Sequence, residues 1–322
     1  MIKKQHSFAR FAYFTLGLTL LVILWGAFVR LSGSGDGCGA SWPLCQGVLV
    51  PRSPTSEMAI EFLHRMSSGL AFLMVVVLLV WSRKLYRRGA AVRRFAAWSL
   101  VFMISESLIG AALVMFEWVD QSTAPGRVGI LVLHQVNTFL LISSILLTAR
   151  SATRDWLLDR SAARQHFRKL LAGYSLLCLT AVFGVVAALG SMLYPAPTLL
   201  EGVQMDFIAA SPMVVRIRIL HPLVAVTTAA FLWWLVVSLS SAKRDEYAGP
   251  AGMLLGVLLF QLMIGFAAWL AHGPVVPKLV HLLLADLAVI AFTAFAADML
   301  TKEKMPAEST EPQNVRLAVS QS

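Results

Sequence analysis

IEFLHRMSSGLAFLMVVVLLVWS, residues 60–82, opens with Glu61, His64 and Arg65 and carries no further charge to its end. At 1.5 Å per residue, about 20 helical residues cross the roughly 30 Å of a bilayer's hydrocarbon. A helix is the conformation in which one isolated segment satisfies its own backbone there. Composition asks for the same solvent. The 322 residues are 58% apolar and 14% charged, with a mean hydropathy of +0.73, too greasy for a water-soluble domain of this length.

Seven further runs resemble this one, giving expected spans at 8–29, 60–82, 95–116, 128–149, 170–192, 217–240, 251–271 and 279–300. Lys3, Lys4 and Arg10 give the first run the look of a signal peptide. It is long for that role, however, and no small-x-small cleavage site precedes Arg30, so it is read as a span. The net charge of +10 could suggest nucleic acid until the cations are placed. Of the 27 Lys and Arg, 20 lie at the opening of the first span, in the second, fourth and sixth connections and in the tail. The opposite connections hold Asp36, Glu57, Glu117, Asp120, Glu201 and Asp206. The positive-inside rule therefore puts both termini in the cytoplasm and assigns the basic loops to topology and membrane lipid, with no nucleic acid as partner.

The chain also repeats itself. ESLIGAALVMFEW in the third span matches QLMIGFAAWLAH in the seventh, setting Glu106 opposite Gln261; EFLHR in the second matches RILHP in the sixth; LVLHQVN in the fourth matches KLVHLLLAD in the eighth. Two halves of four spans keep one orientation, which implies a parallel repeat. The fold class expected is an all-α polytopic membrane protein whose eight transmembrane helices form two pseudo-symmetric four-helix bundles.

Within that repeat four histidines become conspicuous. His6 and His166 lie in basic segments and His272 in the last outer turn, where solvated or interfacial roles suffice. His64, His134, His221 and His281 instead open the second, fourth, sixth and eighth spans, at one depth roughly 5–9 Å inside the outer face. One intramembrane histidine can simply bond a neighbouring helix, but two matched pairs ask for more. Imidazoles on facing helices can ligate iron from both sides of a porphyrin plate. Zinc would need three or four converging ligands, and no Cys or carboxylate cluster accompanies both pairs. The reading is up to two haem sites, His64 with His134 and His221 with His281.

The halves differ chemically. Glu61 sits one turn before His64, whereas Arg218 holds the matching place before His221. A carboxylate can take a proton or stabilise a cation, while an arginine can pair with a propionate, which favours chemistry in the first half and a fixed cofactor in the second. Alternatives stay open for Glu61, a salt bridge to Arg65 among them, and for Arg65, a propionate partner or an interfacial anchor. Pro222, directly after His221, removes a helix hydrogen bond and can re-aim that helix mouth. In the loop GSGDGCGASWPLCQGVLVP, Cys38 and Cys45 stand on the expected oxidising side, where a disulfide, structural or redox-active, is permitted. Cys178 reads as packing. Mid-span Glu106 is expected to bond a neighbouring helix, and Asp286 to orient a ligand or a helix.

The chain resembles the haem A synthases. The likeness is carried by RLSGSGDGCGASWPLCQG, EFLHR, LHQVN, the IG-containing third and seventh spans and the histidines of the sixth and eighth, over roughly residues 8–300. The resemblance implies oxidation of a methyl group of haem O to a formyl group by successive hydroxylations. It implies haem b held by His221 and His281, and His64, His134 and Glu61 around substrate haem O; Arg65 and Arg218 are expected as further cofactor contacts from their charge and place beside the histidines. It matches Cys38 and Cys45 to the family's outer-loop cysteine pair. It also implies a haem O-producing farnesyltransferase and an unidentified electron acceptor as partners, while self-association into a homo-oligomer stays open. Some relatives carry a second cysteine pair between the fifth and sixth spans; LYPAPTLLEGVQMDFIAASP has none.

The organisation expected is a cytoplasmic N-terminus over 1–7, a first bundle over 8–149 for substrate haem and catalysis, and a cytoplasmic linker over 150–169. A second bundle over 170–300 for haem b and a disordered cytoplasmic tail over 301–322 complete a multi-pass protein of the inner (cytoplasmic) cell membrane. Two rival functions share these features: a bis-histidine haem b electron-transfer subunit, which has no need of Glu61 in one half only, and a non-catalytic membrane assembly protein.

Overall fold

A computed structural model describes residues 2–154, 156–240, 244–271 and 274–303. In chain order its elements are α1 (Ile2–Leu31), α2 (Ser56–Leu85), α3 (Ala91–Met115), α4 (Pro125–Ser151), β1 (Trp156–Leu158), α5 (Arg160–Leu193) and α6 (Leu199–Phe207). They continue with α7 (Met213–Arg216), α8 (Leu220–Ser240), α9 (Arg244–Leu270), α10 (Val275–Leu300) and β2 (Thr301–Glu303). Eight helical stretches, the sixth running through α7 and α8, are long and apolar enough to cross a membrane, so the chain is a multi-pass, almost wholly helical membrane protein. His272 and residues 304–322 lie outside the described residues.

Packing joins the helices in two rings. α1 packs on α2 and α4, and α3 on α2 and α4; α5 packs on α8 and α10, and α9 on α8 and α10. In each ring the two histidine-bearing helices, α2 with α4 and α8 with α10, stand on the diagonal. The rings meet where α4 touches α5 and α10 and where α1 touches α10. Half or more of the apolar window of α4 (56%) and α10 (50%) is buried, against 28% or less in the other six spans, which makes these two the seam. One apolar cluster runs through both rings, from Phe8, Leu78 and Ile142 to Leu235, Phe292 and Phe295. Polar links cross the seam as well: the hydroxyls of Ser143 and Thr293 are 3.0 Å apart, and those of Ser143 and Tyr174 3.1 Å.

Several boundaries follow from local chemistry. The linker expected over 150–169 is shorter than the hydropathy implied, because α5 begins at Arg160. Asp159 accepts from the N–H groups of Ser161 and Ala162, and the helix-forming sequence RSAARQHFRKL carries the helix well ahead of its apolar part. β1 then pairs antiparallel with β2, joining the linker to the chain just after α10. Tyr86, at the same end, donates to the Ala152 carbonyl at 2.9 Å, and burial pushes its hydroxyl up to about 12, so it remains a donor. The sixth span breaks over 217–219. Pro222 offers no N–H to the carbonyl of residue 218 and its ring crowds that carbonyl, which accepts from His221 N at 3.1 Å instead.

Candidate functional site

The four histidines lie towards the N-terminal ends of α2, α4, α8 and α10, all at the end of the molecule that carries the 32–55 loop. In the second ring His221 and His281 face each other, their ring centroids 6.1 Å apart and their planes at 86°. His221 Nδ1 lies 3.1 Å from the Thr180 carbonyl, a contact that holds the proton on Nδ1 and leaves the lone pair on Nε2. His281 Nδ1 is buried with no hydrogen-bond partner among the described residues, and its Nε2 is 3.5 Å from Gln261 Nε2.

The first ring is more open. Unlike the second pair, His64 and His134 make no ring contact among the described residues. Among the described residues neither Nδ1 atom has a hydrogen-bond partner. Glu106 Oε2 is 3.7 Å from His134 Nδ1 and accepts from Asn137 Nδ2 at 2.6 Å, while Thr138 donates to Oε1. Glu106 thus ties α3 to α4, the interhelical role its mid-span place suggested. Asp286 differs from expectation: it is fully buried, and neither oxygen has a partner among the described residues.

Glu61 is positioned by the loop. Gly37 has no side chain, so the chain there can lie on the first turn of α2, where a Cβ would come within 2.6 Å of the Glu57 carbonyl. That approach delivers the Cys38 N–H to Glu61 Oε2 at 2.7 Å. Arg65 donates to Glu61 Oε1 from Nε at 3.0 Å and from a terminal nitrogen at 2.5 Å, and its other terminal nitrogen donates to the carbonyls of Ser41 at 2.5 Å and Leu44 at 2.6 Å. Four of five guanidinium protons are therefore committed within the protein, leaving one for a bound group. Cys38 and Cys45 form a disulfide inside this loop, with Cα atoms 4.5 Å apart. Arg218 is engaged likewise, donating to Asp206 at 2.5 Å and to the Gly202 carbonyl at 2.6 Å, so that it holds α6 beside the second ring as Arg65 holds the disulfide loop beside the first.

These residues fit a haem better than a single ion. Among the described residues no three His, Cys, Asp or Glu side chains converge, as zinc would require. Metal–imidazole bonds of roughly 2 Å on either side, with about 1 Å more to each ring centre, put two flanking centroids roughly 6 Å apart, and His221 and His281 stand at 6.1 Å. Each imidazole lies beside a glycine of an adjacent helix: Gly26 of α1 for His64, Gly110 of α3 for His134, Gly184 of α5 for His221 and Gly265 of α9 for His281. Sequence reasoning missed these glycines, although Gly110 and Gly265 stand at matched places in the IG repeats.

The COX15-CtaA family, described as cytochrome oxidase assembly protein, matches residues 9–293. A protein of Thermus thermophilus named Protoheme IX farnesyltransferase is 35% identical over 306 residues, 93% of this chain but 50% of that protein. The chain thus spans about half the length of the Thermus relative. The Heme A synthase of Exiguobacterium sibiricum is 28% identical over 310 residues, covering 92% of this chain and 96% of the relative. The Heme A synthase of Geobacillus kaustophilus is 43% identical over 112 residues, 35% of each chain.

Proposed function

The chain belongs to the COX15-CtaA family of cytochrome oxidase assembly proteins, and from that premise we propose that it is a haem A synthase, oxidising a methyl group of haem O to the formyl group of haem A. The relative matched almost end to end carries the Heme A synthase name. The farnesyltransferase name belongs to a protein twice the matched length. That surplus length fits a second unit joined to the matched one, which supports a haem O-producing farnesyltransferase as the neighbour that supplies substrate.

The observation that carries the reading is an asymmetry: two histidine pairs sit on diagonal helices, and one turn before the first histidine of each pair stands a buried carboxylate, Glu61, in the first ring and an arginine, Arg218, in the second. In the second ring His221 and His281 hold haem b, with the Thr180 carbonyl fixing the His221 tautomer. Bound there, haem b supplies one-electron redox chemistry between the substrate site and an external electron acceptor. In the first ring His64 and His134 hold haem O. Glu61 keeps a fixed place beside them, because three hydrogen bonds from Cys38 and Arg65 hold its oxygens. A carboxylate so restrained suits electrostatic stabilisation of positive charge developing near the oxidised methyl better than a base that must swing to its proton. Arg65 and the disulfide loop keep that charge in register. In the orientation the basic loops favour, all of this lies near the outer face of the cell membrane.

Expression of the chain in cells that make haem O but no haem A tests the reading. Mass analysis of extracted pigment is expected to show a formylated haem that vector-only cells lack. A haem-loaded protein with unchanged pigment would instead favour an electron-transfer subunit, and a haem-free protein a non-catalytic assembly factor.

A further inference from the structure

The four glycines beside the imidazoles do not fit alike. A methyl group added at Gly26 would stand 2.8 Å from His64 Cε1 and 3.0 Å from Nε2. One at Gly265 would stand 2.6 Å from His281 Cε1, and one at Gly184 would stand 3.1 Å from His221 Cε1. Non-bonded carbons rest at about 3.5–4.0 Å, so a methyl at Gly26 or Gly265 displaces the imidazole it meets, and one at Gly184 makes the His221 ring give by a few tenths of an ångström. At Gly110 the nearest ring atom, His134 Cε1, is 3.9 Å away, and a methyl would fit. Gly110 and Gly265 occupy equivalent places in the repeated third and seventh spans, so the difference lies in where the His134 ring sits. That side chain is 34% exposed, and the polar group facing it, Glu106, stands off at 3.7 Å.

We propose that Gly26, Gly184 and Gly265 are positioning residues that fix the imidazole planes of His64, His221 and His281, and that the open notch at Gly110 leaves His134 as the one ligand free to swing. The inference rests on reading the four histidines as haem ligands. If both imidazoles of a ring held a porphyrin, its exchange would need one of the two histidines to let go while the other kept its place. A ring whose Cε1 edge is pressed against a neighbouring helix cannot rotate towards that side; a ring with space at that edge can. The second ring therefore retains its haem, with both ligands clamped. The first can take in haem O and release its product on the His134 side.

The test uses the full chain purified in detergent. Low-temperature electron paramagnetic resonance of the oxidised protein reads the orientation of the ligand planes, and total haem is assayed in parallel. Gly184→Ala and Gly265→Ala are expected to shift the low-spin g values of the resident haem or to lose its signal. Gly256→Ala, on the same helix as Gly265 but with nothing within 4 Å of the added methyl, is expected to keep both. Titration with haem O reads the first ring: Gly26→Ala moves the midpoint to higher haem O, and Gly110→Ala leaves it unchanged. If Gly265→Ala does not accumulate, Gly184→Ala, the milder contact, decides for the second ring. Unchanged g values and haem content in Gly184→Ala, or equal weakening by Gly110→Ala and Gly26→Ala, would overturn the inference. A wild-type protein that binds no haem would instead overturn the ligand assignment beneath it.

Discussion

Arg65 shows how much one side chain holds at the mouth of the first ring. It joins Glu61, which is 3% exposed, to the carbonyls of Ser41 and Leu44. Removing one partner of a buried pair strands the other, at a cost of about 3–5 kcal/mol. Arg65→Ala is therefore expected to lower thermal stability markedly in a melting assay, and Arg65→Lys to recover only part of it, since an ammonium cannot reproduce the planar fork. An unchanged melting temperature in Arg65→Ala would show the loop to be held by other contacts. In the second ring, His221→Ala or His281→Ala removes one axial nitrogen, and the purified variant is expected to lose the low-spin b-type spectrum. Wild-type spectra in both would contradict their assignment. The types and spacing of these residues were legible in the sequence. Their partners were not: nothing in EFLHR says that Cys38, 23 residues earlier, sends its N–H to Glu61. That bond depends on the loop folding back, which hydropathy does not encode.

Helices were the most legible level, since a run of about 20 apolar residues has few alternatives in lipid. Each expected span falls within an observed helical stretch except at a few terminal residues, but the helices extend past the hydrocarbon wherever helix-forming polar residues or a cap allow, as at Asp159. The amphipathic α6, capped by Thr198, escaped a search tuned to membrane spans. Pro222 in the sequence implies a re-aimed helix mouth, and the break over 217–219 is the form this takes. Pro222→Ala is expected to let α7 and α8 join and to move His221, lowering resident haem in the purified protein; full haem content would show that the break is set elsewhere. Between α3 and α4, Glu106 receives Asn137 and Thr138. Interhelical hydrogen bonds within membranes are worth about 0.6–2 kcal/mol, so Glu106→Leu should destabilise by an amount of that order in a denaturation series, and Glu106→Gln by less.

At the scale of the whole molecule, the two rings share one apolar core, so the halves the sequence separates are packed as one body along α4 and α10. The internal match of four spans to four was visible in the sequence; the diagonal placement of each histidine pair emerged only from the packing. Orientation rests on the basic connections. Reporter fusions at Gly89 and Ala124 are expected to report opposite compartments, with Gly89 cytoplasmic, and equal signals would contradict the eight-span topology. The division of labour between the rings is the central claim, and Glu61 is where it can be tested most directly. Glu61→Gln keeps size and hydrogen-bonding capacity while removing the charge beside the substrate ring. In pigment extracts from cells at matched protein levels, quantified for haem O, hydroxylated haem and haem A, this variant is expected to keep its b-type spectrum while haem A falls and haem O or the hydroxylated product accumulates. Wild-type haem A production by Glu61→Gln would contradict the account, leaving the carboxylate a structural brace for the disulfide loop.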